Sequence, residues 1–384
     1  MRFSMTKTQS LPLLGGLSPQ QFMRRHWQKK PLLVRGALPG FGPILPRAEL
    51  FALAGRDEVE SRLVAQAGGQ WRFRRGPFGR RALPPLSQPG WTLLVQGVDL
   101  HDEGAHALLE QFRFVPQARL DDLMISYATD GGGVGPHFDS YDVFLLQSQG
   151  RRRWRIGRQQ DFSLRPDVPL KILAGFEAEE EYVLEPGDLL YLPPRYAHEG
   201  VALGECQTCS IGFRAPARGE LARELLQRLS EDATELAGEA LYRDPTQQAT
   251  DAPGEVPAAL QLFARNALSA ALRNPQALDR ALGEYLTEPK ASVWFEGGAP
   301  GLAPDGAVIE VVLDRRTRMM YDARHVFING ESYRASGRDA TLMRALADRR
   351  RLGASDMMNA SAAARSLIGS WREAGWLQAK ETHR

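Results

Sequence analysis

The sequence predicts an α+β protein built around a β-barrel. Three observations carry this expectation. Residues 1–215 hold short apolar runs cut by Gly- and Pro-containing turns, the texture of many short strands. After Arg214-Ala215-Pro216 the texture changes to helical periodicity, up to about residue 296. A Gly/Pro-rich linker at 297–306 then leads to short apolar runs followed by helical stretches, over residues 306–384. A chain of 384 residues is long for one domain. Three parts are therefore expected: a barrel over 1–215, a helical region over 216–296 and a small domain over 306–384.

Within the barrel part, residues 18–28 and 106–112 read as helices. Strands are expected at 91–98, 124–127, 143–147, 152–156, 181–184 and 189–192. The last follows Pro186-Gly187-Asp188, a tight-turn signal, and ends at Pro193-Pro194. In the second part, Leu221, Leu225, Leu226, Leu229 and Leu236 approximate a helical stripe. Residues 257–272 and 275–286 give two more helices. Helices this short do not build a large core alone. They must pack on the barrel, on each other or on a second copy of the chain. The third part reads as strands at 308–313, 318–321 and 326–328, a turn at Asn329-Gly330 and helices at 341–351 and 360–374. Strands followed by helices in so short a stretch resemble a winged-helix domain. Such domains often read DNA. Here Arg344, Arg349, Arg350 and Arg351 are diluted by Asp339, Asp348 and Asp356.

The segment Pro136-His137-Phe138-Asp139 is answered some sixty residues later by His198. Two histidines and a carboxylate in this order are the parts of a facial triad, which holds Fe(II) and leaves coordination positions open. On a strand, His137 and Asp139 share one face. A turn, a short buried strand and His198 at its end is how a barrel closes on a metal. The bland alternative is two surface residues and an unrelated loop histidine. Gly150-Arg151-Arg152-Arg153-Trp154-Arg155-Ile156 reads as a strand one hairpin further on. Its alternation puts Arg152 inside with Trp154 and Ile156, and Arg151, Arg153 and Arg155 outside. A buried arginine needs an anion. A dicarboxylate cosubstrate would supply one, through a bidentate pair.

The formal net charge is only +2, which argues against bulk attraction to nucleic acid. No apolar run reaches the roughly 18 residues of a membrane span, and no apolar core follows the basic residues near Met1, so a cytoplasmic protein is expected. Cys206 and Cys209 lie in a strand-like stretch where i and i+3 point opposite ways, and read as reduced structural residues.

His137-Phe138-Asp139, Arg152 and His198 together resemble the JmjC branch of the Fe(II)- and 2-oxoglutarate-dependent oxygenases, whose catalytic fold is a double-stranded β-helix of the cupin type. Asp121-Asp122-Leu123-Met124-Ile125-Ser126-Tyr127, followed by Gly131-Gly132-Gly133-Val134-Gly135-Pro136-His137, is similar to the bacterial ribosomal oxygenases. That family hydroxylates the β-carbon of an arginine in ribosomal protein uL16. The resemblance implies that His137, Asp139 and His198 bind Fe(II). It implies that Arg152, with Ser126 as a second contact, holds the far carboxylate of 2-oxoglutarate, and that O2 is the oxidant. It further implies a homodimer formed through residues 216–296. An arginine substrate would need an acidic or aromatic receptor, and Asp130, Tyr141 and Asp142 lie close to the motif. Equally, Asp130 caps the glycine-rich loop and Asp142 is structural. Two alternatives stay open: histidine hydroxylation or lysine demethylation on the same scaffold, and a non-catalytic regulator with a DNA-binding tail.

Overall fold

The computed structural model of the protein describes residues 8–298 and 309–381. Most of the 297–306 linker thus lies outside the described residues. The chain divides into two compact units, Met1–Ala215 and Pro216–Arg384.

The first unit carries strands β1 (Leu32–Val34), β2 (Ser61–Ala67), β3 (Gln70–Arg75), β4 (Trp91–Val95), β5 (Leu120–Ala128), β6 (Val143–Gly157), β7 (Glu180–Leu184), β8 (Leu189–Leu192) and β9 (Ala197–Phe213). Helices α1 (Pro19–Arg25), α2 (Arg47–Leu53) and α3 (Glu103–Glu110) accompany them. The sheet order is β1-β8-β6-β9-β5-β4-β2-β3, with β7 also on β6. All its strand pairs are antiparallel.

Two faces of this sheet are buried, and the period of two decides which residue goes where. Phe144, Leu146, Leu189 and Tyr191 face one core with Phe22, Trp27, Phe51, Trp91, Tyr127 and Phe213. Val143, Leu145, Leu190 and Leu192 face a second core with Trp154, Ile156, Leu184 and Tyr196. The unbroken apolar run at β8 is thereby explained: both of its faces are covered, as such a run requires. Helix α1 starts with a reciprocal capping box between Ser18 and Gln21 and seats Phe22 in the first core.

The stretch expected as two strands joined by a hairpin is one strand, β6. Its register with β9 shifts between Gln147 and Arg151, and Gly150 takes a φ of 63° there. Glycine tolerates this left-handed bulge conformation, so the strand bends without ending. The inward parity of Arg152, Trp154 and Ile156 survives the bulge, since all three are buried. Cys206 and Cys209 are free, buried in different clusters and on one strand.

The second unit holds α4 (Arg218–Glu231), α5 (Ala233–Ala237), α6 (Ala258–Leu272) and α7 (Pro275–Thr287). It continues with β10 (Ile309–Leu313), β11 (Met319–Tyr321), β12 (His325–Ile328), β13 (Glu331–Arg334), α8 (Gly337–Arg349), β14 (Arg351–Leu352), α9 (Ala354–Met358), α10 (Ala362–Glu373) and β15 (Leu377–Glu381). Helix α7, which sequence periodicity groups with the helical region, also seats on the C-terminal strands. The Phe327 ring of β12 lies where a Cβ on Gly283 would stand, and Glu284 accepts a hydrogen bond from the Ser332 hydroxyl. Helix α6 buries none of its residues. Of Arg344, Arg349, Arg350 and Arg351, three are tied within the domain. Arg350 is buried and donates to the carbonyls of Thr317 and Asp314, Arg349 pairs with Asp356, and Arg344 donates to the Ala323 carbonyl.

Candidate active site

The ligand-type atoms of His137, Asp139 and His198 lie within 4.8 Å of one another, a grouping found at no other place among the described residues. His198 opens β9. His137 is not on a regular strand, as the alternation argument assumed. It makes an isolated antiparallel bridge with His198. The two residues exchange both backbone hydrogen bonds, at 3.0 and 2.8 Å. Asp139 follows in irregular chain, with its carbonyl accepting from the Arg195 amide at 2.7 Å. The pairing of a loop with a strand end therefore does what a shared strand face was expected to do.

Each imidazole is oriented by a backbone carbonyl. His137 Nδ1 lies 2.9 Å from the Gly135 oxygen and His198 Nδ1 lies 3.0 Å from the Tyr196 oxygen. A proton on Nδ1 in both rings leaves both Nε2 lone pairs for a metal. The rings are 4.3 Å apart between centroids, and His198 Nε2 is 3.7 Å from Asp139 Oδ2. Burial pushes the His198 pKa down to about 4, the proximity of His137 adds to that, and Asp139 opposes it. His198 is thus held neutral at physiological pH, as a metal ligand would have to be.

The Tyr141 phenol lies within reach of the Asp139 charge. Desolvation raises its pKa far above the ordinary value, and the Asp139 charge adds to the rise, although the side chain is 39% exposed. This contact to a triad carboxylate was not read from the sequence, where Tyr141 counted only as a substrate receptor. Of the two places considered for Asp142, the structure gives it the structural one. It is fully buried and accepts from Tyr191 Oη at 2.6 Å, Gln28 Nε2 at 3.0 Å and Arg119 Nη2 at 3.5 Å. Its carboxylate is committed to the scaffold. Asp130 is exposed, and its Oδ1 accepts from the Gly204 amide at 2.7 Å. It holds the left-handed Gly204 within β9, and its other oxygen makes no described hydrogen bond.

Arg152 is 4% exposed. Its Nη1 donates to Ser126 Oγ at 3.0 Å, while its Nε and Nη2 meet no acceptor. Two such donors inside a protein are costly unless something binds them. Their spacing suits a carboxylate, so the residues present fit the far end of 2-oxoglutarate. Ser126 stands opposite Thr208 on β9, and Thr208 donates to Gln147 Oε1 at 2.8 Å. This polar floor beside Arg152 was missed, because a Thr between two cysteines gives no sequence signal of its own. Trp154 packs on His198, with ring centroids 5.8 Å apart, and so joins the arginine end of the site to the metal end.

A barrel with an open His-Asp-His cluster and a buried arginine on a neighbouring strand defines a JmjC-type oxygenase. In agreement, a JmjC domain family matches residues 107–221 and a ROXA-like winged-helix family matches residues 268–378. The ribosomal protein uL16 3-hydroxylase of Escherichia coli strain K12 is 39% identical over 290 residues, which is 74% of this chain and 75% of the relative. An X-ray structure of E. coli YcfD superposes with a TM-score of 0.82 at 32% identity, covering 94% of this chain and 98% of that one. A second structure, of E. coli YcfD as a ribosomal oxygenase in complex with cobalt and 2-oxoglutarate, gives a TM-score of 0.79 at 31% identity, with 95% and 98% covered. The chain belongs to the ribosomal oxygenases.

Proposed function

We propose that this protein is an Fe(II)- and 2-oxoglutarate-dependent hydroxylase of the β-carbon (C3) of an arginyl residue in ribosomal protein uL16. The observation that carries the cofactor part is the coexistence, in one barrel, of an open His137–Asp139–His198 cluster and the half-satisfied guanidinium of Arg152. The uL16 part is supported by the 39% identical relative of that activity.

In this reading His137 Nε2, Asp139 and His198 Nε2 hold the iron. With 2-oxoglutarate and O2, the iron supplies oxidising power for an unactivated C–H bond, which no side chain has. The protein's part is placement. The Gly135 and Tyr196 carbonyls fix the imidazole tautomers, and the Tyr141 phenol is a polar neighbour of Asp139. Arg152 and Ser126 anchor the cosubstrate's far carboxylate. The apolar wall of Val143, Leu145, Leu190 and Trp154 keeps bulk water from the reacting end. Asp130, with one oxygen free, is the acidic group that would orient a substrate guanidinium.

The chain works as a homodimer in this reading. Support comes from α6, which leaves Leu260, Leu262, Phe263, Leu268 and Leu272 exposed, an apolar surface of the kind that marks an interface. Among the described residues no helix is long and apolar enough to cross a membrane. A cytoplasmic site of action fits a ribosomal substrate. The proposal is tested by mass analysis of a uL16 peptide incubated with enzyme, Fe(II) and 2-oxoglutarate. A gain of one oxygen on the arginine, lost when arginine is replaced by alanine, is expected. Loss of a methylene from a methylated lysine peptide instead would overturn it.

A further inference from the structure

The near-neutral total charge hides a strong segregation. Between Glu60 and Asp99 the sequence carries six arginines, Arg62, Arg72, Arg74, Arg75, Arg80 and Arg81, and no acidic residue. Five of them lie on β3 and the loop after it, and all five are exposed. Among the described ion pairs, none involves any of the five. Arg74 and Arg80 instead lie over the Phe78 and Phe51 rings.

The position of this patch matters as much as its charge. Strand β3 is the last strand of the sheet, and among the described residues it pairs only with β2, which leaves its outer edge open. Arginines alternate on it with Trp71 and Phe73, which are half-buried. Trp71 reaches the metal loop. A Cβ on Gly135, whose φ is 79°, would stand 3.2 Å from Trp71 Cη2, and Gly135 also orients His137. Charges on an edge strand discourage strand-to-strand association. That accounts for Arg72 and Arg74, but not for Arg80 and Arg81, which lie beyond the strand, nor for an acid-free stretch of this length.

We propose that the β2–β3 hairpin and the loop through Arg81 form a binding surface for single-stranded RNA beside the metal site. Arginines without anionic partners match a phosphate backbone. Trp71 and Phe73, on the face of β3 that alternation also gives to Arg75, match unpaired bases, which a duplex would hide. The choice of RNA over DNA rests on the reading that the substrate is a ribosomal protein, next to which RNA lies.

The test uses the full chain without iron or 2-oxoglutarate, and fluorescence anisotropy with a labelled oligouridylate. Binding is expected to weaken linearly on a log–log plot against salt. The triple variant Arg72→Gln, Arg75→Gln, Arg81→Gln should weaken binding at least about tenfold at low salt and reduce the slope by about 2, at roughly 0.7 per lost phosphate contact. The Lys versions of the three should retain the slope, which separates charge from folding. Trp71→Ala should weaken binding with the slope unchanged. Hydroxylation of a free peptide by the Gln triple variant should match wild type, so loss of RNA binding and failure of the hydroxylase reading are distinguishable. No binding to oligouridylate at low salt, or equal binding by the Gln variant, would overturn the proposal. So would displacement by polyglutamate as readily as by unlabelled RNA, or equal affinity for duplex RNA or for single-stranded DNA.

Discussion

Arg152 and Ser126 come from strands β6 and β5, yet the arginine Nη1 reaches the serine hydroxyl at 3.0 Å in a fully enclosed space. The bond turns the guanidinium so that Nε and Nη2 point where no protein acceptor stands. Arg152→Ala should therefore raise the 2-oxoglutarate dissociation constant by about 30-fold or more, on the order of 2–5 kcal/mol for a buried charge pair. Arg151→Ala should leave it within about twofold, since Arg151 is exposed on the outer face of the same strand. Calorimetric titration with 2-oxoglutarate and a redox-silent metal reads both. Equal effects from the two variants would show that Arg152 is not the anchor.

Tyr141 bears on the metal rather than on the cosubstrate. Its phenol lies within reach of the Asp139 charge, so Tyr141→Phe removes a polar neighbour of a proposed ligand without removing the ring. Metal affinity should fall about 10- to 100-fold, as is usual when a group supporting a metal ligand is lost. The thermal transition of the metal-free protein should stay within a few degrees. Unchanged Co(II) affinity in Tyr141→Phe would contradict the role.

Asp142 is a structural node. Tyr191, Gln28 and Arg119 approach it from three distant segments. Asp142→Ala would strand the buried Tyr191 hydroxyl and unpair the half-buried Arg119, and should lower stability by roughly 3 kcal/mol. Denaturant unfolding measures this. A loss below about 0.5 kcal/mol, which is typical of an uninvolved surface site, would show that the node contributes little.

The account of this node also shows where sequence reading runs out. Asp142 follows the His-x-Asp motif closely, which made it a candidate for the substrate. Only the long-range arrival of Gln28, Arg119 and Tyr191 shows that its carboxylate is spent. Local patterns fared better. The run Leu189–Leu192 was legible because both faces of a doubly covered strand are apolar. The burial of Arg152 was legible because alternation survives a bulge. The bulge itself was not, since Gly150 reads equally as a hairpin turn. Strands β1, β2 and β3 were not predicted: β1 is only three residues long, and β3 alternates arginine with aromatics at an exposed edge. The His137–His198 bridge joins residues about sixty apart in the chain, so the spacing of His137 and Asp139 alone suggested a strand where there is a paired loop.

Helix α6 gives a prediction about assembly. Leu262 and Leu268 are more than half exposed, and neither contributes to a described core. Sedimentation should give a dimer for the wild type, and Leu262→Glu with Leu268→Glu should shift it towards monomer without lowering the helix content. A wild-type monomer at all concentrations would refute the homodimer.

The central claim is that His137, Asp139 and His198 hold the iron of an arginine hydroxylase directed at uL16. The most direct measurement compares wild type and Asp139→Ala, each reconstituted with Fe(II) and 2-oxoglutarate, on a uL16 peptide analysed by fragmentation mass spectrometry. The account predicts one added oxygen, localised to the β-carbon of the arginine by wild type, and at least about a hundredfold less product from the variant. An equal yield from Asp139→Ala, or no oxygen on the arginine with the wild-type enzyme fully loaded, would contradict it.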